Sequence, residues 1–387
     1  MITKKTKHKS KHSRNKHSRS SKKYSSKKYS SKKYSIKKAK YVLDLSLASH
    51  KLTKHSKLDY PFYKNSYKFN MSRIQNLINN LINNQKTQLS ITPHIPNQYI
   101  LNQYILNRKI HTFNNTNKYY IIKSSWNDNL ELNSLTDYFT EPCRIQCTFK
   151  KQLSPLEYWN KNHKTILASL KKKHLPENNY NIREEMYIHN KPCNNFRISV
   201  CLEVLKLFKP KKWLDISAGW GDRLLSALLY KPLEVYCGVD PNPCLHPYYQ
   251  EMIKTLDPNG KKECILIKDG FETATLPDIK FDLVFSSPPF FDLEIYSTAS
   301  ANSLVKYKGE DGWFNGFLMP SIYKAIEHLV AGGYLVLYMG EAQGTKYISK
   351  MIELVDARMK NTGIFYYTDG AKLREFYCWQ KPVFTSK

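Results

Sequence analysis

The sequence has no run of 18 apolar residues, so it offers no candidate for a membrane-crossing helix. Its charged opening lacks an apolar core, which is not the pattern of a secretory signal. An intracellular setting is expected, in the cytoplasm or nucleus of a cell or in a virus factory or virion. Cysteine is sparse, with eight in 387 residues. That does not suggest a disulfide framework, and reduced thiols are expected. Cys143 and Cys147 lie four apart, but no second pair at zinc spacing follows, and no metal site is expected. Acid is missing altogether from residues 1–40, which carry 17 Lys and Arg.

That missing acid concentrates an unusual charge. The formal net charge is +29, and outside residues 1–40 the balance is still 44 basic against 32 acidic residues. An excess of this size points to a polyanionic partner, most often nucleic acid. Residues 20–34 read Ser-Ser-Lys-Lys-Tyr three times. Such a segment has no apolar face to offset ordering entropy, so residues 1–40 read as a disordered basic tail. It can serve as a nucleic-acid arm, with Tyr24, Tyr29 and Tyr34 stacking on bases, as a nuclear address, or as a solubilising tail.

Residues 41–120 form a low-complexity region rich in Asn, Ile and Tyr. A short helix around Leu77 and Leu81 is the one element it suggests. Residues 121–195 read as a small extension or cap. In it Ser154-Pro155-Leu156-Glu157 has the form of a helix start, followed by a helix to about Lys172.

From Phe196 to the end, 196–387, apolar β-runs alternate with helices. Strands are expected at 211–216, 235–239, 264–268, 281–285, 334–339, 363–367 and 376–380. Helices are expected at 197–208, 222–230, 246–256, 313–330 and 344–359. Such alternation implies an α/β fold: a doubly wound, mostly parallel sheet covered on both faces, closed by a C-terminal antiparallel hairpin. Ligands in such sheets sit at the carboxyl ends of the strands.

Four strand ends carry candidate chemistry. Asp215-Ile216-Ser217-Ala218-Gly219-Trp220-Gly221 joins an acid to a small-residue turn that lets backbone approach a ligand. A dinucleotide site is the rival, but Leu224 stands where its fingerprint wants a third glycine. Asp240 ends the next strand and can accept from both hydroxyls of a ribose. Asp269 and Phe271 follow the third, where an acid can accept from an adenine amine and a ring can cover the base. The last is Ser286-Ser287-Pro288-Pro289-Phe290. Two prolines after a buried strand are a poor packing choice, yet they present carbonyls rigidly. Ser287 Oγ and the Pro288 carbonyl can accept both N–H bonds of an exocyclic base amine, concentrating its lone pair for attack on a methyl group. Phe290 can stack on the base.

Together these motifs resemble the S-adenosylmethionine-dependent amino-methyltransferases of nucleic-acid bases, with a Ser-Pro-Pro-Phe loop like those of phage, bacterial and large-virus enzymes. Gly312-Trp313-Phe314-Asn315-Gly316 and Ala331-Gly332-Gly333-Tyr334-Leu335 are similar too. The resemblance spans about residues 190–382. It implies a Rossmann-like class I methyltransferase domain with a seven-stranded sheet and S-adenosyl-L-methionine as cofactor. Asp215, Ser217, Ala218, Gly219, Gly221, Asp240, Asp269 and Phe271 would bind that cofactor, and Ser287, Pro288, Pro289 and Phe290 would be catalytic. It also implies methylation of DNA at cytosine N4 or adenine N6, with Ser at the first motif position favouring cytosine. Here the cofactor motif precedes the catalytic one, and no large recognition domain follows. RNA bases or a protein glutamine therefore remain alternative acceptors, and a non-catalytic nucleic-acid packaging protein a third reading.

Smaller expectations concern the flanking residues. Asp292, Glu294 and Tyr296 either orient the acceptor or are plain loop residues. Phe196 and Arg197 can close over the cofactor. Arg223 reads as a solvent-facing helix residue more readily than as a ligand contact. Pro243-Cys244 has the form of a cytosine-C5 nucleophile but follows the wrong strand.

Overall fold

The computed structural model describes residues 60–66, most of 68–79, 89–92, 94, 113–115, and 118–383 apart from 125, 151, 297–301, 343 and 369–371. The basic tail and Leu81 lie outside the described residues; Leu77 is helical, as expected.

In chain order the elements are strands β1 (Leu89–Thr92) and β2 (Tyr119–Lys123), helix α1 (Trp126–Arg144), strand β3 (Thr148–Phe149), and helices α2 (Pro155–Lys172), α3 (Asn179–His189) and α4 (Ile198–Phe208). The wound core follows with β4 (Lys212–Asp215), α5 (Asp222–Leu229), β5 (Val235–Val239), α6 (His246–Leu256), β6 (Glu263–Ile267), β7 (Phe281–Ser286) and the short β8 (Glu294–Ile295). It ends with α7 (Ser303–Lys306), α8 (Gly309–Trp313), α9 (Met319–His328), β9 (Leu329–Tyr338), α10 (Tyr347–Asp356), β10 (Lys360–Thr368) and β11 (Leu373–Gln380). A π-helical turn, Phe314–Leu318, joins α8 to α9 without a gap, so the helix expected over 313–330 is continuous to His328 with a π-helical turn inside it.

The fold is the expected doubly wound, Rossmann-like α/β sheet. Its order is β1-β2-β10-β11-β9-β7-β4-β5-β6. β4, β5, β6, β7 and β9 run parallel, β11 lies antiparallel between β9 and β10, and β8 pairs antiparallel with β3 in a separate two-stranded sheet. The two extra strands at the edge were not expected. β2 pairs in parallel with β10, Ile121 lying opposite Tyr366.

Alternation along the strands sorts side chains onto two faces. Trp213, Tyr236, Leu283, Phe285 and Val336 join one core with α1, α4, α5 and α6. Leu214, Cys237, Val284, Leu335 and Leu337 join the other with α9 and α10. A third cluster around Trp159, Ile166, Leu170 and Met186 unites α2 and α3.

One cysteine expectation is corrected. Cys143, at the end of α1, and Cys244, in the loop after β5, form a disulfide with Cα atoms 5.9 Å apart, closing 101 residues of sequence. The crosslink removes Cys244 from any nucleophilic role and Cys143 from any metal role. The other six cysteines are free thiols. Burial pushes Cys147, Cys237 and Cys378 up to about 12.

Candidate functional site

The glycine turn after β4 is built on backbone that only glycine adopts easily. Gly219 has φ +62° and Gly221 φ +95°. A Cβ on Gly221 would lie 2.7 Å from Met252 Cε. The turn can therefore press close to α6 as α5 begins. Tyr249 donates its hydroxyl to the Gly219 carbonyl from the same helix.

Asp215 is fully buried beneath this turn and does not line the cavity described below. Its carboxylate accepts from Arg223 Nε (2.8 Å), Tyr236 OH (2.9 Å) and Ser286 Oγ (2.7 Å). The Arg223 guanidinium also donates to the Ser217 carbonyl and lies 5.4 Å from the centre of the Phe196 ring. The expectation of a solvent-facing Arg223 is thus overturned: the residue is 4% exposed. Its side chain points inward under the glycine turn, to Asp215, Ser217 and Phe196, while α1 covers the neighbouring residues. Thr136 of α1 donates to Asp222 Oδ1 (2.6 Å), and Thr140 donates to the Trp220 carbonyl (2.8 Å). Asp222 Oδ2 accepts from Phe196 N–H (3.1 Å), and burial lifts this carboxyl to about 6.

Asp240 follows β5. Its Oδ2 accepts from Gly219 N–H (2.9 Å) and its Oδ1 from Asn242 N–H (2.9 Å), so the acid ties the glycine turn to the loop after β5. Burial lifts its carboxyl to about 6. Asp269 is placed differently from its expected role. It accepts from Gly270 N–H (2.7 Å) and Thr273 Oγ1 (3.1 Å), and it does not line the cavity. Glu272 does line it. Glu272 Oε1 accepts from Lys306 Nζ (2.8 Å) and Tyr307 OH (3.1 Å), while its buried Oε2 has no partner. Phe271 sits at the cavity edge with its ring packed in the core.

The Ser-Pro-Pro-Phe loop follows β7. Ser286 points inward to Asp215, and Ser287 faces the cavity. Phe290 meets Tyr338 edge-on at 5.6 Å, and Tyr338 shares a 3.2 Å hydroxyl–hydroxyl hydrogen bond with Tyr367. Beyond the loop, Glu294 lines the cavity at 9% exposure. It accepts from Asn194 N–H (3.0 Å) and Nδ2 (3.3 Å), and burial raises its carboxyl above the usual range.

All these elements open onto one cavity of about 400 Å³, within the range of roughly 300–1,000 Å³ usual for small-molecule sites. The walls bring together Ser217, Gly219, Asp240 and Phe271 with Ser287, Pro288, Pro289 and Phe290. Ala218, like Asp215, Gly221 and Asp269, lies outside the lining. Phe196 and Arg197 line it, as do Glu294 and Tyr296. Asn194, Asp222, Glu272, Tyr338, Tyr367 and Arg374 also line it and were not anticipated. Only Asp222, an acid in the first turn of a helix beside a ligand loop, carried a signal in the sequence.

No protein-family model matches the chain, and neither does any curated protein sequence. Among solved structures it is similar to TrmN from Thermus thermophilus, at 14% identity and a TM-score of 0.36 over 48% of this chain and 49% of that one. A methyltransferase from Pyrococcus furiosus matches at 15% identity and TM-score 0.35, covering 49% of this chain and 84% of that one. An rRNA methylase from Streptococcus thermophilus matches at 12% identity and TM-score 0.34, covering 49% and 99%. The chain thus spans about half the length of TrmN.

Proposed function

We propose that this chain is a methyltransferase that moves a methyl group from S-adenosyl-L-methionine to an exocyclic amine of a nucleic-acid base, with cytosine N4 or adenine N6 of DNA as the first candidates. One observation carries the reading. The adenosyl-type residues Gly219 and Asp240 and the amine-type residues Ser287 to Phe290 line the same cavity.

The wall suits the cofactor. Gly219 bares its backbone beside the cavity, and Asp240 keeps acceptor capacity for ribose hydroxyls beyond its two backbone bonds. When bound, the cofactor supplies a sulfonium methyl: the N–C bond forms as the S–C bond breaks, and that bond's electron pair stays on sulfur. The chain's own residues prepare the amine. Ser287 Oγ and the Pro288 carbonyl accept its two N–H bonds, drawing the nitrogen away from planarity so that its lone pair faces the methyl. Phe290 stacks on the base, and Tyr338 braces that ring from the edge. The nitrogen then releases a proton to water at the cavity mouth. Asp215 acts one layer down, holding Arg223 under the glycine turn and Ser286 under the catalytic loop.

Incubation with radiolabelled cofactor and separate pools of DNA, RNA and protein tests the reading. Label in an N-methylated base is the expected result. Label confined to protein, or absent from all three pools, refutes it.

A further inference from the structure

Helix α2 stands apart from the cavity chemistry, and its two sides differ sharply. At about 100° per residue, Trp159, Ile166 and Leu170 fall on one side. There they pack in the cluster shared with α3. Lys161, Lys164, Lys171 and Lys172 fall within an arc of about 100° on the opposite side, and all four are exposed. The only acid in α2 is Glu157, which is occupied in the capping box with Ser154. None of the four lysines takes part in an ion pair among the described residues, whereas Lys173 is engaged by Glu185 at 2.5 Å.

The helix is also tethered to the rim of the cavity. β3 pairs with β8 through Phe149 and Glu294, and Lys150 N–H donates to the Leu293 carbonyl (3.0 Å). Leu293 and Glu294 both line the cavity. A few residues later Leu156 N–H donates to the Ile145 carbonyl, and α2 begins. From Lys161 to Lys172 the stripe runs about 17 Å, the length of roughly five steps along a duplex strand.

We infer that the lysine stripe of α2 is a docking surface for the phosphate backbone of the polynucleotide whose base enters the cavity. Four unpaired cations on one exposed face of a helix anchored beside the acceptor loop complement a polyanion, and they add affinity without reading sequence. The inference rests on the proposed methyl transfer for its choice of partner.

The test compares the full chain with a variant carrying K161Q, K164Q, K171Q and K172Q. A second comparison variant has four tail lysines, Lys22, Lys23, Lys27 and Lys28, changed to Gln. Probes are mixed-sequence 24-mers of single-stranded DNA, single-stranded RNA and duplex DNA, titrated across salt. Removing one lysine–phosphate pairing flattens the log–log slope by about 0.7 for single strands and about 0.9 for duplex. The stripe variant, with all four pairings removed, is expected to flatten the slope by about 2.8 for single strands and about 3.6 for duplex. It should also raise KM for polynucleotide at least tenfold, with kcat, cofactor affinity and melting temperature unchanged. An unchanged slope and KM overturns the inference. So does an equal rise in KM from the tail variant, or a stripe effect on binding to phosphatidylserine vesicles without one on polynucleotide. If no base is methylated but polynucleotide binding depends on the stripe, the docking surface stands and the methyl-transfer reading falls.

Discussion

Replacing Asp240 by Asn tests the cofactor wall most directly. Its carboxylate bridges two loop N–H donors, one on each oxygen. An amide keeps one acceptor oxygen and turns an N–H group toward the other donor. The variant therefore loses a charged acceptor for the ribose and one loop tie. Hydrogen bonds to charged groups contribute about 1.5–3 kcal/mol each, which is about ten- to 150-fold in Kd for the ribose contact alone. Titration supplies an internal control. The Asp240 carboxyl is held at about 6 by burial, so about nine-tenths is ionised at pH 7 and about one-tenth at pH 5. Calorimetry with S-adenosylmethionine should show Kd rising about tenfold over that span. Stability responds in the other direction. A carboxyl raised from about 3.9 when unfolded takes up its proton earlier in the native state. Its contribution to stability therefore grows as pH falls from above 6 toward 4. Asp222, also about 6, and Glu375, about 7, act in the same sense. Weaker binding at pH 5 without a matching loss of melting temperature is the expected signature. A flat Kd between pH 8 and 5, or an Asp240→Asn variant that binds like the parent, refutes the assignment.

Ser287→Ala should lose about 10²–10³ in methyl-transfer rate at unchanged cofactor affinity, because its hydrogen bond strengthens only as the amine changes geometry. Single-turnover rates at the parental value would remove Ser287 from the mechanism. Phe290→Ala should weaken base binding by about 1–3 kcal/mol, read as KM for an oligonucleotide. Reducing the Cys143–Cys244 bond opens a loop of 101 residues, so guanidinium unfolding with and without dithiothreitol should differ by about 2–5 kcal/mol. Coincident curves would show that the crosslink adds nothing. Deleting residues 1–40 should flatten the salt dependence of nucleic-acid binding without altering site preference; an unchanged slope would show that the tail does not engage phosphates.

The sequence revealed those parts of the fold whose cause is local. β5 and α6 occupy 235–239 and 246–256 as read from their apolar runs, and α2 starts at Pro155 because Ser154 and Glu157 form a reciprocal capping box. Elements whose cause lies elsewhere in the chain were hidden. β1 and β2 are short and far from the wound core in sequence, and they become strands because β2 adds to the edge that β10 offers and β1 then pairs with β2. The disulfide joins two cysteines that share no local motif. The placement of Arg223 failed for a related reason. A pattern read on α5 alone assigns Arg223 to a wet face, but every residue of that helix is buried, and Arg223 itself turns inward to Asp215 and the Ser217 carbonyl.

Asp215 shows how the same distant packing alters a role without altering its importance. Read as a strand-end acid, it would touch the ligand. In the folded chain its three side-chain bonds go to Arg223, Tyr236 and Ser286, from three different segments. Arg223 links the carboxylate to the Ser217 carbonyl, on the cavity wall. Ser286, the residue before Ser287, ties the start of the Ser-Pro-Pro-Phe loop to the same carboxylate. A buried carboxylate without partners would be strongly destabilising, and a neutral residue there would release both loops from a common anchor. The glycine turn and the Ser-Pro-Pro-Phe loop thus share one anchoring side chain that does not itself line the cavity. That arrangement explains why an acid belongs at the end of β4 even though the cavity never meets it.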